Sequence, residues 1–251
     1  MLHFSWIVPV VMAANAAAAQ VATTPASQTA PAPPPDRPFA RLFQNLGNDF
    51  VRLGKADTIG ILGAGGFAAV VASYSDDRVD RWTLDHPAPS VTAIGRVGGD
   101  GWTMAGAAVG TWAVGRALKR PLLTHVGSDL IRTQVLNGAI TRVLKIVVDR
   151  QRPKGGGHAF PSGHTSASFA SAGVLQQHFG WKAGAPAYAV AGFVAWTRVR
   201  DRAHWVSDVV FGAALGLASA RAVTRGHDSR AWTVTPVAMP GGGGLQFSTR
   251  W

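Results

Sequence analysis

Residues 161–223 read PSGHTSASFASAGVLQQHFGWKAGAPAYAVAGFVAWTRVRDRAHWVSDVVFGAALGLASARAV. Ala, Gly, Val and Leu dominate this stretch. Its apolar spacing predicts three helices, over 163–179, 184–198 and 205–223. Small residues at this density let helix backbones approach closely. Three further helical segments lie upstream, over 57–74, 102–119 and 127–149, with 75–101 read as a loop. Before them Phe39, Leu42, Phe43, Leu46 and Phe50 recur at the spacing of an amphipathic helix. Downstream the pattern changes. Trp232, Val234 and Pro236 alternate with polar residues, Gly241 to Gly244 follow, and Leu245, Phe247, Thr249 and Trp251 alternate again, which predicts a hairpin around a glycine turn. The expected fold is all-α: a helical bundle of about six core helices, with an N-terminal amphipathic helix and a short C-terminal β-hairpin. No internal repeat of fixed period is present.

Around this core the chain divides into four parts. Residues 1–19 have an apolar stretch from Trp6 to Ala14 and small residues at Ala17 to Ala19, and read as an export signal. Residues 20–38, with Pro31-Ala32-Pro33-Pro34-Pro35, read as a linker. Residues 39–225 form the helical domain, and 226–251 the tail. Hydrophobic residues make up 47% of the chain and charged residues 15%, which is apolar for a soluble protein. The mean hydropathy of +0.13 is nevertheless low for a chain buried mostly in lipid. A net charge of +11 favours anionic partners, either phosphorylated substrates or an acidic membrane surface. No nucleic-acid motif accompanies that charge. The absence of cysteine excludes disulfides, thiolate catalysis and Cys-ligated metals.

Three clusters carry chemistry. Lys145 precedes Arg152-Pro153 by seven residues, about two helical turns, so both cations can share one face. An ammonium and a guanidinium together suit phosphate oxygens. Pro161-Ser162-Gly163-His164 reads as a helix entry: Ser162 is the N-cap, Gly163 admits a ligand to the backbone, and the first free N–H groups form an anion site. Finally Arg198, His204 and Asp208 fall close together. If His204 and Asp208 are both helical they lie on one face, where the carboxylate fixes the imidazole tautomer and frees the other nitrogen to attack. Two histidines, three cations and an orienting carboxylate suit phosphoryl transfer, where positioning and charge neutralisation do most of the catalysis.

In this order the clusters resemble the type 2 phosphatidic acid phosphatase (PAP2) family, which shares its site with vanadium haloperoxidases and bacterial acid phosphatases. The family pattern is K-x6-RP, then PSGH, then SR-x5-H-x3-D. Thr197 stands where the family has Ser and keeps the hydroxyl. The resemblance implies that His204 is the nucleophile and forms a phosphohistidine. Asp208 then orients it, and His164 protonates the leaving group and later activates water. Lys145, Arg152, Ser162, Gly163 and Arg198 hold the phosphate oxygens. It implies no metal and no cofactor. The expected activity is metal-independent hydrolysis of phosphomonoesters or pyrophosphates, with a phosphorylated small molecule or lipid as substrate. The alternatives are a vanadate-dependent haloperoxidase and a non-enzymatic basic protein at the membrane.

Other residues are read plainly. Arg150, Arg200 and Arg202 are expected on a solvated or lipid-facing surface. Asp149 and Asp201 are expected to pair with neighbouring arginines. His3, His86, His125, His158, His178 and His227 are expected to be structural, His158 standing nearest the pocket rim. The glycine-rich stretch after Pro153 is expected to be a pliable rim. In an up-and-down bundle all three clusters fall at one end. A cleaved signal with six true spans puts that end in the cytoplasm. An exported, periplasmic soluble bundle resting on the membrane is therefore the expectation, with an inner-membrane protein whose site faces the periplasm as the alternative.

Overall fold

The computed structural model describes residues 6–9, 39–225, 232–239 and 242–249, with side chains over 45–225. The expected linker and most of the expected export signal lie outside the described residues. The chain forms two compact units, one from residues 1–32 with 227–251 and the other from 33–226. In the first, β1 (Trp6–Pro9), β2 (Trp232–Met239) and β3 (Gly242–Thr249) form an antiparallel sheet of order β1-β3-β2. The register pairs Trp6 with Phe247 and Val234 with Phe247. Residues 6–9, read as part of a signal, thus form an extended strand.

The second unit is all-helical. It contains α1 (Phe39–Leu53), α2 (Ala56–Ser73), α3 (Asp76–Asp85), α4 (Thr92–Gly98) and α5 (Gly101–Ala117). These are followed by α6 (Pro121–Val148), α7 (Gly163–Phe179), α8 (Trp181–Arg200) and α9 (Val206–Thr224). The six predicted segments correspond to α2 and α5–α9. Segment 75–101 is not a loop. It holds α3, whose Asp76 and Asp77 sit at the positive N-terminal end of the helix dipole, and the short α4. The next helix, α5, is capped by Asp100, whose carboxylate accepts from the Trp102 N–H at 2.9 Å. Upstream of its predicted start, α6 begins six residues early because Pro121 occupies its first turn, where no N–H is needed.

Packing is closest where side chains are smallest. α9 contacts both α2 and α7 extensively. A Cβ on Gly216 would lie 2.3 Å from the Ser166 carbonyl oxygen, so only glycine admits this approach of α9 to α7. α6 carries the polar interior. Arg132 is buried and donates to Asp49 at 2.7 and 2.8 Å and to Asp129 at 3.0 Å, tying α1 to α6. Such a buried guanidinium is tolerable because it is paired. Gln134 donates to the Ala167 carbonyl at 3.0 Å and Asn137 to Ser166 Oγ at 3.1 Å, joining α6 to α7.

The outer surface is apolar. Ile59, Phe67, Val70 and Val71 of α2 are exposed, as are Val143, Ile146 and Val147 of α6. Among the described residues α2 and α9 are long and apolar enough to cross a membrane, and α2 has only 17% of its apolar window buried. Asp129, Arg132, Gln134 and Asn137 of α6 turn inward, and its Val135, Val143, Ile146 and Val147 are exposed. This surface suits association of the unit with a membrane.

Candidate active site

Lys145 lies in the last turn of α6, and Asp149 ends that helix in the left-handed region at φ 40. The chain then turns back on itself. Arg152 N–H donates to the Gly156 carbonyl at 2.8 Å, and Ala159 N–H to the Arg150 carbonyl at 2.8 Å. Gly155 and Gly156 take φ values of 92 and 86, which side-chain-bearing residues avoid. The rim expected to be pliable is thus held by hydrogen bonds. Lys145 Nζ donates to the His158 carbonyl at 2.7 Å, and His158 Nδ1 lies 3.0 Å from Asp149. Asp149 therefore pairs with a histidine, not with the expected arginine. Burial first, then Arg152, lowers the Lys145 ammonium to about 8, so it stays mainly cationic at neutral pH.

Ser162 is the N-cap of α7, but its side chain makes no capping bond. Its Oγ instead accepts from Thr165 Oγ1 at 2.9 Å, and its N–H donates to the Asp208 carbonyl at 3.0 Å. That link joins the second cluster to the third. It needs Gly212, where a Cβ would lie 2.8 Å from the Ser162 carbonyl oxygen. At Gly163 a Cβ would be 3.8 Å from Lys145 Cε, which places the first cluster beside the helix entry.

His164 Nε2 donates to the Arg96 carbonyl at 3.1 Å. Burial, then the nearby Arg198 charge, depresses its imidazole to about 4. Arg198 is buried at the end of α8, with Thr197 Oγ1 accepting from Nε at 3.2 Å and from Nη2 at 3.1 Å. Asp201 takes Nη2 at 3.0 Å, as expected of that pair.

His204 is not helical. It precedes Trp205, the N-cap of α9, while Asp208 sits at the third helical position. Asp208 Oδ2 lies 3.7 Å from His204 Nδ1, an ion-pair distance longer than a hydrogen bond. The carboxylate is held from the other side, Oδ2 accepting from Trp205 N–H at 2.9 Å and Oδ1 from Arg150 Nη1 at 2.8 Å. Burial lowers the His204 pKa, with Asp208 opposing and the Lys145 charge reinforcing the shift. A neutral imidazole at neutral pH follows. The Arg198 and His204 charges act on His164, and those of Lys145 and Arg152 act on His204. All eight predicted residues therefore gather at one end of the bundle.

Arg150 is the residue the sequence reading missed. It is half-buried, not a surface cation. It donates to Asp208, to Ser207 Oγ at 2.7 Å and to Asp76 Oδ2 at 2.9 Å, 74 residues away. Asp76 also accepts from the Ser207 N–H at 3.0 Å. The first turn of α3 supplies that carboxylate. We expect Arg150→Met to lower kcat by about 10- to 100-fold with little change in KM, because a buried charge-assisted contact is lost. Arg150→Lys should recover part of the loss. Steady-state kinetics of both variants check this, and an unchanged kcat in Arg150→Met removes the positioning role. Arg200 and Arg202 are likewise not free surface charges: Arg202 Nε donates to Asp80 at 2.7 Å, and Arg200 is buried.

A separate group, His125, Asp129 and His178, brings three potential metal-ligand atoms within 4.8 Å of one another. His178 Nε2 lies 3.0 Å from Asp129, whose other oxygen is taken by Arg132. This cluster is part of the buried ion-pair network and lies far along α6 from Lys145.

The helices bring cations and two histidines together at one end of the bundle. Residues 154–232 match the PAP2 superfamily. The match contains the second and third clusters. Over 86 residues the chain is 35% identical to the lipid A 1-phosphatase of Porphyromonas gingivalis, covering 33% of this chain and 19% of that protein's length. It is also similar to the first transmembrane PAP2-type phosphatidylglycerolphosphate phosphatase from Bacillus subtilis, with 18% identity, a TM-score of 0.42, and 74% and 93% of the two chains covered.

Proposed function

We propose that this protein is a metal-independent lipid phosphate phosphatase that works through a phosphohistidine. The observation that carries the reading is a groove of about 650 Å³ leading into the site. Lys145, Gly163 and His164 line its end at the site, and apolar Trp102, Val109, Ile131 and Val135 line much of the rest, beside Asp100, Gln134, Asn137, Thr141 and Arg142. A phosphate headgroup suits the first set and an acyl chain the second. The apolar outer surface supports delivery of such a substrate from a membrane. The PAP2 segment and the phosphatase activities named for the similar proteins support the same class.

In this reading a His204 nitrogen attacks phosphorus while Lys145, Arg152, Arg198 and the α7 N–H groups neutralise the equatorial oxygens. The P–O ester bond breaks, and the leaving oxygen takes a proton from His164. His164 then removes a proton from water, which attacks the phosphohistidine and releases inorganic phosphate. Asp208, steadied by Arg150, favours the cationic His204 formed on attack. Export with the site facing the periplasm is the proposed location.

Phosphate release from detergent-dispersed phosphatidate, measured with excess chelator, tests the reading. Turnover with chelator present and at least about 10-fold better kcat/KM than for a short-chain phosphomonoester is expected, since a few buried methylenes contribute that much. Absence of phosphate release from either ester sinks it.

A further inference from the structure

Away from the phosphate site, the bundle carries a second convergence of ligating atoms. His125 and Asp129 lie one turn apart near the start of α6, and His178 lies in the last turn of α7. All three side chains are at most 10% exposed. His125 Nε2 is 3.4 Å and His178 Nε2 3.0 Å from the same oxygen, Asp129 Oδ2. The two imidazoles meet edge to face with 5.3 Å between centroids, so both nitrogens reach that oxygen without stacking. The three ligand atoms lie within 4.8 Å of one another.

These separations suit a metal. In a tetrahedral zinc site with bonds of about 2.0–2.1 Å, neighbouring ligand atoms stand about 3.3 Å apart. The two nitrogen–oxygen distances, 3.0 and 3.4 Å, bracket that edge. Arg132 prepares the carboxylate. It holds Asp129 Oδ1 at 3.0 Å, which leaves Oδ2 turned to the histidines. Outer contacts of this kind orient the ligands of metal sites. The Arg132 charge is itself met by Asp49 at 2.7 and 2.8 Å, so its repulsion of a nearby cation is offset. The donor set also chooses the ion. Two imidazoles and one carboxylate suit zinc and its transition-metal neighbours, whereas magnesium and calcium require about six oxygens.

We propose that His125, Asp129 and His178 bind one divalent ion of the zinc class, which clamps the C-terminal end of α7 to the N-terminal part of α6. Each imidazole offers its Nε2 lone pair and carries its proton on Nδ1, and water fills the fourth position. Asp129 stands sixteen residues before Lys145, about 24 Å along the helix. The ion therefore takes no part in phosphate chemistry. Its effect is mechanical: α6 and α7 carry Lys145 and His164 at their other ends, and the clamp fixes the two helices against each other. This inference stands independently of the phosphatase reading.

The test uses the full chain in detergent, without an affinity tag, stripped with chelator and titrated with zinc chloride against a zinc indicator. About one ion per chain is expected to bind. Zinc at a hundredfold excess over Kd should raise the melting temperature by at least about 5 °C, and magnesium or calcium should not. Cobalt(II) on the wild type should give the visible absorption of a tetrahedral ion, a readout that needs no variant. His178→Gln keeps an N–H that can donate to Asp129 but is a poor metal ligand. It should weaken zinc binding by at least about 100-fold, more than the loss of an outer contact does, and abolish the thermal shift. His125→Gln should do the same, and guards against misfolding of the first variant. A wild type that binds no zinc overturns the proposal, because the cluster is then a carboxylate receiving two imidazole N–H groups. Zinc bound equally by the wild type and both variants also overturns it, since the ion then sits elsewhere, as at the exposed His158–Asp149 pair.

Discussion

His204→Ala reduces phosphate release by on the order of 10⁴-fold or more, because the variant lacks the atom that forms the covalent intermediate. The site explains why no neighbour can substitute. Among the cradle residues, Lys145 is mainly cationic and donates to backbone carbonyls. Arg152 and Arg198 have no lone pair to offer. His164 is tied through Nε2 to the Arg96 carbonyl. Binding should survive, since the cations that hold the oxyanion remain. Inhibition by orthovanadate, a phosphate mimic, is expected to stay within about 10-fold of wild type, as the positioning contacts persist. His204 is 4% exposed, so His204→Gln, which keeps most of the volume, separates loss of chemistry from loss of packing. Rapid-quench labelling with a radioactive phosphate ester should trap an acid-labile phosphoenzyme in the wild type and none in either variant. Label or near-normal turnover in both variants removes His204 from the nucleophile's role.

His164→Ala has the second largest expected effect, and its size depends on the leaving group. Loss of a positioned proton donor typically costs about 10²- to 10⁴-fold. That full loss is expected for an alkyl ester, whose oxygen leaves poorly without a proton. For a nitrophenyl ester, whose oxygen leaves as a stable anion, the first step should slow by no more than about 10-fold. Water activation also falls to His164, so this ester should give a burst of about one nitrophenol per chain and then a slow phase. Equal losses in the rate of the first step for both esters would falsify the acid assignment.

The pH profile carries the same assignment. Burial and Arg198 hold His164 at about 4 in the free protein. Its protonated fraction therefore falls about tenfold for each pH unit above that value. His204, lowered by burial, must be neutral to attack. Together these place the maximum of kcat/KM on the acid side of the ordinary histidine pKa. A bound phosphate adds negative charge beside His164 and favours its protonated form, so the alkaline limb of kcat should lie at higher pH than that of kcat/KM. Profiles from pH 4 to 9 measure both limbs, and coincident limbs that persist in His164→Ala exclude this role.

Much of the site was legible because its parts are local. Lys145 and Arg152 flank the end of α6, Ser162 to His164 open α7, and Arg198 to Asp208 span the turn from α8 into α9. Each spacing is fixed by backbone geometry within a single segment. The predicted helices likewise followed from apolar periodicity, which acts over neighbouring residues. The errors arose where distant residues meet. α3 is a short polar helix without a long apolar stripe, so 75–101 read as a loop, yet its Asp76 holds Arg150 and Ser207. His204 and Asp208 face each other although only Asp208 is helical, because the Trp205 N–H caps onto the Asp208 carboxylate and turns the chain.

Which α6 side chains face outward was not legible for a related reason. Composition counts polar residues in α6 without saying which way they point. Arg132, Gln134 and Asn137 have buried partners on α1 and α7, and that leaves valine and isoleucine outside. By itself, then, the sequence determined a helical protein and three local clusters, Lys145 with Arg152, the α7 entry with His164, and Arg198 with His204 and Asp208, because periodicity and motif spacing are properties of contiguous chain. Only the tertiary structure decided which carboxylate steadies Asp208's guanidinium partner, where the apolar groove meets the cradle, and that His125 and His178 meet at one oxygen of Asp129. Those depend on contacts between helices far apart in sequence, which no local pattern encodes.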